Sequence, residues 1–109
     1  MKWKEGRQGS RYFNKLLAQG KTWDCYLLKY PTGSYISLHK DFVDKGLEHH
    51  RINFTFWRAK EGGIFFKDTK HSTKRYQYFR PDKVLHGVSK VEEGTRYVLS
   101  IGWVKNGNN

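Results

Sequence analysis

The sequence predicts a mainly β domain, arranged as an antiparallel sandwich or jelly roll and preceded by one short helix. Three observations support this fold class. About seven short segments have strand-like composition, glycine and proline turn signals separate them, and 17% of the residues are aromatic. With 109 residues, the chain has room for one hydrophobic core, so we expect a single domain over residues 1–109.

The first 22 residues are expected to form a basic arm and a helix. Residues 1–9 are polar and basic and contain glycine, as in a loosely packed arm. Ser10 is a suitable N-cap, and Gly20 can end a helix. Between them, large apolar side chains recur at helical spacing, at Tyr12, Phe13, Leu16 and Leu17.

Residues 23–104 are expected to form the β core. The predicted strands are 23–30, 34–39, 51–58, 64–66, 75–79, 84–88 and 96–104. Turn signals lie between them, at residues 31–33, 62–63, 81–82 and 92–94. The segment 67–83 is rich in Lys and Arg, which predicts a solvated loop within it.

The composition is strongly basic, with 21 Lys and Arg against 10 Asp and Glu and a formal net charge of +11. This charge favours a polyanionic partner, although basic residues also keep small proteins soluble. The one cysteine, Cys25, excludes an intramolecular disulfide and a four-cysteine zinc site and is typical of a reducing compartment. No apolar segment is long enough to cross a bilayer. We therefore expect a cytoplasmic protein with no membrane partner, and its compact size suits a viral or phage protein.

The residues most informative about chemistry are two histidines and an aspartate. His39 and Asp41 are two residues apart at the end of a predicted strand, so their side chains can converge on one side. His86 lies 47 residues after His39, in a strand-like segment that can return beside the first. Two histidines and one carboxylate with open coordination positions are the ligand set of non-haem iron(II) oxygenases.

The last predicted strand adds an arginine to this set. Arg96 lies ten residues after His86, and strand alternation puts Arg96, Val98 and Ser100 on one face. A guanidinium on a buried face is costly without a partner, and a carboxylate is its natural bidentate partner. If Arg96 is buried, the sequence therefore predicts a carboxylate partner for it near this strand.

Three sequence blocks occur in a familiar order. They are a tyrosine, a turn and His-x-Asp at 27–41, a strand and Gly-Gly pair at 51–66, and a distal histidine, an acidic turn and a basic residue at 86–97. Together they resemble the 2-oxoglutarate- and Fe(II)-dependent dioxygenases, specifically the prolyl hydroxylase-like members with a minimal double-stranded β-helix core. The resemblance covers residues 27–104, which is most of the chain.

This resemblance implies that His39, Asp41 and His86 bind Fe(II) and are the catalytic residues. The implied reaction consumes O2 and the cosubstrate 2-oxoglutarate and releases succinate and CO2 while it hydroxylates a C–H bond. Ascorbate is the expected reductant.

The resemblance also implies a cosubstrate site. Arg96 would bind the far carboxylate of 2-oxoglutarate, and Tyr30 would add a phenolic hydrogen bond. Asn53 and Thr55 are assigned to the same pocket.

We expect a macromolecular substrate, either a protein side chain or a nucleic acid. The bare core leaves few elements to form a substrate groove, so substrate contacts are expected from exposed aromatic and basic side chains. The candidates are Tyr35, Trp57, Lys74 and Arg75.

A different class of function stays open, a non-catalytic basic β-domain that binds RNA or single-stranded DNA through aromatic and basic side chains. It explains the charge but leaves the ordered His, Asp and Arg residues as a coincidence. His49 and His50 form a competing histidine pair, but they lie beside Glu48 in a polar connection. We expect this pair to face solvent or substrate and not a metal.

Overall fold

All regular structure in the described residues is β structure. The computed structural model describes residues 3–6, 10–68, 70–72 and 74–106. The strands in chain order are β1 (Lys4–Glu5), β2 (Phe13–Gln19), β3 (Trp23–Tyr30), β4 (Ile36–His39), β5 (Leu47–Trp57), β6 (Glu61–Gly62), β7 (Phe65–Lys67), β8 (Lys70–Ser72), β9 (Tyr76–Phe79), β10 (His86–Val88), β11 (Val91–Glu93) and β12 (Arg96–Asn106). Over the described ranges, no helix is long and apolar enough to cross a membrane.

The strands form three antiparallel sheets. The largest has the order β1-β2-β3-β12-β5-β9, a second has the order β4-β10-β7-β8, and β11 pairs with β6. Strand β12 is central in the large sheet, because it pairs along its length with β3 on one side and with β5 on the other. The prediction of a mainly β antiparallel jelly roll is confirmed.

The core lies between the large sheet and the two smaller ones. Tyr30 and Val98 come from the large sheet, whereas Phe65, Val88 and Val91 come from the smaller sheets. Val91 and Val98 are completely buried, at 0% exposure. As a result, β4 and β10 lie opposite the face of β3, β5 and β12 that points into the core. This inner face of the large sheet also carries several polar residues.

The predicted N-terminal helix is wrong. Residues 13–19 form β2, which pairs with β3 and with the short strand β1. The pairing shifts between Leu16 and Ala18, and the resulting bulge leaves Leu17 without a partner residue in the ladder. Because of the bulge, Leu16 and Leu17 do not follow the alternation of a regular strand, and their positions also fit a helix. Gly20 does not end a helix; its N–H donates to the carbonyl of Trp23 at 2.9 Å in the turn that joins β2 to β3. Sheet pairing here overrides a weak local helix preference.

Two other expectations about chain segments have partial outcomes. Within the expected basic arm, residues 4–5 form β1, whereas residues 1–2 and 7–9 lie outside the described residues. The basic segment 67–83 contains β8 and β9 as well as loop residues.

Candidate metal centre

The adjacent strands β4 and β10 bring the two predicted histidines side by side. The Cα atoms of His39 and His86 are direct partners in the ladder, and their ring centroids are 4.3 Å apart. Gly87 permits this close approach, because a Cβ there would lie 2.5 Å from the carbonyl oxygen of Ile36. His86 is buried, whereas His39 is partly exposed.

Asp41 completes the cluster from the segment just after β4. Its backbone N–H donates to the carbonyl of Pro81 at 2.7 Å, which holds the residue beside β10. Its Oδ1 is 3.3 Å from Nε2 of His39, and its Oδ2 is 3.4 Å from Nε2 of His86. One candidate ligand atom from each of the three residues lies within 4.8 Å of the other two.

The hydrogen bonds behind the rings determine which nitrogen faces the cluster. Nδ1 of His39 is 2.8 Å from the carbonyl of Ser37, and Nδ1 of His86 is 3.1 Å from the carbonyl of Val84. A carbonyl only accepts, so each Nδ1 carries the proton and donates, and each neutral ring presents an Nε2 lone pair to the cluster. A hydrogen bond from Nδ1 to a backbone carbonyl commonly fixes the tautomer and the ring orientation of a histidine that binds a metal.

The donor set fits a cation. Two lone pairs and a carboxylate facing one another repel unless a proton or a metal ion lies among them. Burial raises the pKa of Asp41, but when the Nε2 atoms of His39 and His86 are protonated, their hydrogen bonds and charge outweigh this effect and hold the pKa well below its usual range. Asp41 is therefore a carboxylate at neutral pH. Two imidazoles and a carboxylate oxygen are ligands that suit Fe(II) and similar divalent ions.

A cavity of about 270 Å³ opens beside this cluster. Its wall includes all three cluster residues and the inner face of the large sheet. Two of the predicted cosubstrate residues, Tyr30 and Asn53, line it.

Two basic side chains also line this cavity: Arg51, which sequence reasoning missed, and His49, which it expected only to face solvent or substrate. Nη2 of Arg51 donates to Asp24 at 2.8 Å, and its Nη1 donates to Oγ of Ser100 at 2.7 Å. The hydroxyl of Ser100 in turn donates to Oδ1 of Asn53 at 2.6 Å. Burial lowers the pKa of His49. The sequence did contain a signal for His49 and Arg51, because strand alternation puts residues 49, 51, 53 and 55 of β5 on one face.

The arginine of the last strand is buried, and no carboxylate of the described residues pairs with it. Arg96 is 4% exposed, and its Nη2 donates to Oγ1 of Thr55 at 3.1 Å. Its guanidinium carbon lies 4.9 Å from the ring centroid of Tyr30. Burial lowers the pKa of Arg96, and among the described residues no carboxylate forms an ion pair with it.

Arg96 and Thr55 line a second cavity, of about 120 Å³, which is adjacent to the first. Phe65 contributes to the walls of both cavities. Tyr30 lies at the boundary, because it lines the first cavity while its ring contacts the guanidinium of Arg96. The structure thus distributes the four predicted cosubstrate residues over two neighbouring cavities.

The four predicted substrate residues are dispersed. Lys74 lines the second cavity. Tyr35 and Trp57 are 41% and 63% exposed and line neither cavity. Arg75 is exposed and donates to the carbonyl of Thr55 at 3.0 Å.

The histidine pair at 49–50 is divided between the two faces of the sheet. His49 faces the first cavity, whereas His50 stacks on Trp103 with ring centroids 5.5 Å apart. Nε2 of His50 is 2.9 Å from a carboxylate oxygen of Glu48. The described residues near His50 include no second histidine ligand.

The fold can be compared with known structures. The cupin domain of Schizosaccharomyces pombe Cnp3 matches with a TM-score of 0.69 and 6% identity, over 96% of this chain and 69% of that one. KdgF from Halomonas sp. matches with a TM-score of 0.63 and 15% identity, over 94% and 86% of the two chains. The fold is that of the cupins.

A further structure with this fold is the viral collagen prolyl hydroxylase vCPH of Paramecium bursaria Chlorella virus-1, solved as a 2OG complex. It matches with a TM-score of 0.65 and 14% identity, over 87% of this chain and 79% of that one. No protein-family model matches the sequence, and no curated protein matches it. The similarity is one of fold, so the chemistry of the site depends on the side chains described above.

Proposed function

We propose that this protein is a 2-oxoglutarate- and Fe(II)-dependent dioxygenase that hydroxylates a macromolecular substrate. The observation that carries the proposal is the convergence of the Nε2 atoms of His39 and His86 on the carboxylate of Asp41. The buried guanidinium of Arg96, which no described carboxylate compensates, supports it independently, because it calls for a carboxylate ligand. The cupin fold that this chain shares with a prolyl hydroxylase is compatible with this activity.

Each residue has a defined task in this proposal. His39, Asp41 and His86 hold the iron, and the carbonyls of Ser37 and Val84 keep both rings in the Nδ1–H form. When bound, the iron supplies O2 activation coupled to oxidative decarboxylation of 2-oxoglutarate, which yields succinate, CO2 and a hydroxylated product.

Tyr30 and Arg96 form the cosubstrate anchor. The guanidinium and the phenol are in contact, so a carboxylate bound beside both can accept from both. Thr55 orients the guanidinium through its hydroxyl. The apolar side chains Phe65 and Phe79, whose ring centroids are 5.0 Å apart, exclude water from the cavity wall.

The first experiment measures metal and cosubstrate binding separately from turnover. Titration calorimetry with Mn(II), an inert substitute for Fe(II), should show one site in the wild type. The affinity for Mn(II) should fall at least about 100-fold in His39→Ala. Loss of a residue that hydrogen-bonds to a metal ligand typically lowers metal affinity 10- to 100-fold, and loss of the ligand itself costs more. His50→Ala is the matched control, since this imidazole also contacts a carboxylate but lacks a second histidine.

The second experiment tests the reaction. Purified protein with Fe(II), 2-oxoglutarate, ascorbate and O2 should form succinate slowly even without substrate, and His39→Ala and Arg96→Ala should form none. Absence of both Mn(II) binding and succinate formation in the wild type would refute the proposal.

A second candidate is a non-catalytic binding module for RNA or single-stranded DNA. The net charge of +11 and the exposed aromatic side chains favour it. This candidate predicts oligonucleotide binding that weakens steeply with salt and is unchanged in His39→Ala.

A further inference from the structure

A tyrosine, a histidine and a glutamate form a hydrogen-bonded chain on the side of the large sheet that points away from the metal centre. Phe79 lines the first cavity, so strand alternation turns its neighbour Tyr78 to the opposite, outer face. His50 points outward for the same reason, because its neighbour Arg51 lines the cavity. The proposed dioxygenase reaction uses neither Tyr78 nor His50.

The hydrogen bonds run from the phenol through the imidazole to the carboxylate. Nε2 of His50 is 2.9 Å from a carboxylate oxygen of Glu48, and Nδ1 of His50 contacts the hydroxyl of Tyr78. The hydrogen bond from His50 lowers the pKa of Glu48, so Glu48 is a carboxylate at neutral pH and can only accept. Nε2 of His50 therefore carries a proton. In the neutral ring, Nδ1 then has a free lone pair, which accepts the phenolic O–H of Tyr78.

This order of groups is the one that activates a nucleophile. A hydroxyl becomes a better nucleophile when an adjacent base accepts its proton and a third group orients that base. In this chain, Tyr78 is the hydroxyl, His50 is the base and Glu48 orients the base. The ring of His50 is also held by Trp103, on which it stacks with an interplanar angle of 7°. The nucleophile itself is accessible, since Tyr78 is 52% exposed.

The charges around the chain select the kind of electrophile. Two cations lie near it, and both are already paired with carboxylates: Arg80 donates to Asp82 at 2.7 Å, and Nζ of Lys105 is 3.8 Å from Glu48. Transfer of a phosphoryl group depends on cations that neutralise its oxygens. The carboxylates of Glu48 and Asp82 would instead repel such a group. The charges therefore favour an uncharged carbonyl carbon as the electrophile for Tyr78.

The surface beside the phenol is apolar, which selects the group that this carbonyl carries. Tyr78 is the ladder partner of Ile52, and Ile52 is in turn the partner of Ile101 on the next strand. These two isoleucines are 37% and 41% exposed. The ring centroid of Trp103 lies 6.5 Å from that of Tyr78. An aliphatic acyl group on the phenol would cover these apolar side chains, so an acyl chain of several carbons should react better than acetyl.

We propose that Tyr78 is an acyl-acceptor residue that takes an aliphatic acyl group from an activated ester, with His50 as its general base. The phenolic oxygen attacks the ester carbonyl carbon while its proton passes to Nδ1 of His50. A C–O bond to Tyr78 forms, the C–O bond to the leaving group breaks, and His50 returns the proton to the leaving oxygen. The inference is independent of the proposed dioxygenase reaction, because the metal centre faces the other side of the sheet.

Reaction of the wild type with p-nitrophenyl hexanoate, followed by site-resolved mass spectrometry, tests this proposal. Tyr76 is the internal control, because it lies two residues before Tyr78 on β9, is 67% exposed and has no histidine partner among the described residues. Acylation of Tyr78 should be at least about 100-fold faster than that of Tyr76, which is the lower end of what a general base contributes. Hydroxylamine cleaves aryl esters and not amides, so it separates acylated tyrosine from acylated lysine.

His50→Gln removes the base and keeps a side chain that can form hydrogen bonds. It should slow the acylation of Tyr78 about 100-fold and leave that of Tyr76 unchanged, and the unchanged rate at Tyr76 shows that β9 is still in place. In the wild type, the ratio of Tyr78 to Tyr76 acylation should be larger with the hexanoate ester than with p-nitrophenyl acetate.

Two results with the wild type alone would overturn the proposal, whether or not the variant folds. One is equal acylation rates at Tyr78 and Tyr76, which would mean that His50 does not activate the phenol. The other is the same ratio of these rates with acetate and hexanoate, which would mean that the apolar surface does not contact the acyl group. In a folded His50→Gln, an unchanged rate at Tyr78 would overturn it as well.

Discussion

Replacement of Arg96 by methionine tests whether this cation is poised for a ligand. Met replaces much of the aliphatic stem of Arg without the charge and fills irregular space well. Arg96 is 4% exposed, donates a hydrogen bond to Thr55 and contacts Tyr30. The change therefore removes a buried charge that no described carboxylate compensates.

The magnitude follows from these contacts. The lost hydrogen bond contributes about 1 kcal/mol and the cation–π contact about 1 to 2 kcal/mol. The burial of an uncompensated cation costs several kcal/mol, and this cost is recovered. We expect the free energy of unfolding of Arg96→Met, measured without ligand, to equal that of the wild type or to exceed it by up to about 2 kcal/mol.

Arg51→Met is the matched control on the same face of the same sheet. Arg51 is compensated by Asp24 and also donates to Ser100, so its removal leaves a half-buried carboxylate without its partner. We expect Arg51→Met to lose about 2 kcal/mol, a typical value for charged hydrogen bonds of this kind.

Urea denaturation of the three proteins gives the comparison, first alone and then with Mn(II) and 2-oxoglutarate. Compared with Mn(II) alone, Mn(II) together with 2-oxoglutarate should raise the free energy of unfolding of the wild type and leave that of Arg96→Met unchanged. A loss in Arg96→Met as large as that in Arg51→Met would refute the reasoning, because it would mean that the folded protein already compensates the guanidinium.

Two further predictions concern the strands around the site. Gly87→Ala should abolish Mn(II) binding and cost about 2 to 4 kcal/mol, because the added Cβ would meet the carbonyl of Ile36 at 2.5 Å and separate the two histidine strands; calorimetry with intact binding would contradict it. Burial raises the pKa of Tyr30 to about 12 although Arg96 lowers it, so the folded state retains the phenolic proton above the unfolded pKa of about 10. The stability that this proton confers is complete below pH 10 and is lost as the pH rises to 12, so the wild type should lose about 2 to 3 kcal/mol more than Tyr30→Phe over this interval; urea titrations with equal losses would contradict it.

Much of the fold was predictable because the strands carry local signals. The bounds of β3 match the prediction at both ends, since a run rich in apolar and aromatic residues ends at a Pro-Thr-Gly turn. The helix prediction failed because a bulge in β2 shifts the alternation at Leu17, and such a bulge depends on pairing with β3 rather than on local composition.

The site was predictable in its ligand set and less so in its surroundings. His39 and His86 stand out by residue type and order, and their direct pairing follows from the jelly-roll topology. Arg51 was missed because its function depends on Asp24 and Ser100, two residues on different strands that only the sheet register brings within reach. The position of Arg96 in a neighbouring cavity depends on the packing of Phe65, which sequence periodicity does not specify.

The central place of β12 has a consequence for the order of events during synthesis. Its two neighbours, β3 and β5, precede it in the chain, so both halves of the large sheet emerge from the ribosome before the strand that joins them. Until then each half exposes an unpaired edge and apolar faces, which are the features that favour misassembly. The same strand delivers Arg96 and Ser100, so the hydrogen bonds from Arg51 to Ser100 and from Arg96 to Thr55 form only after β12 has joined the two halves.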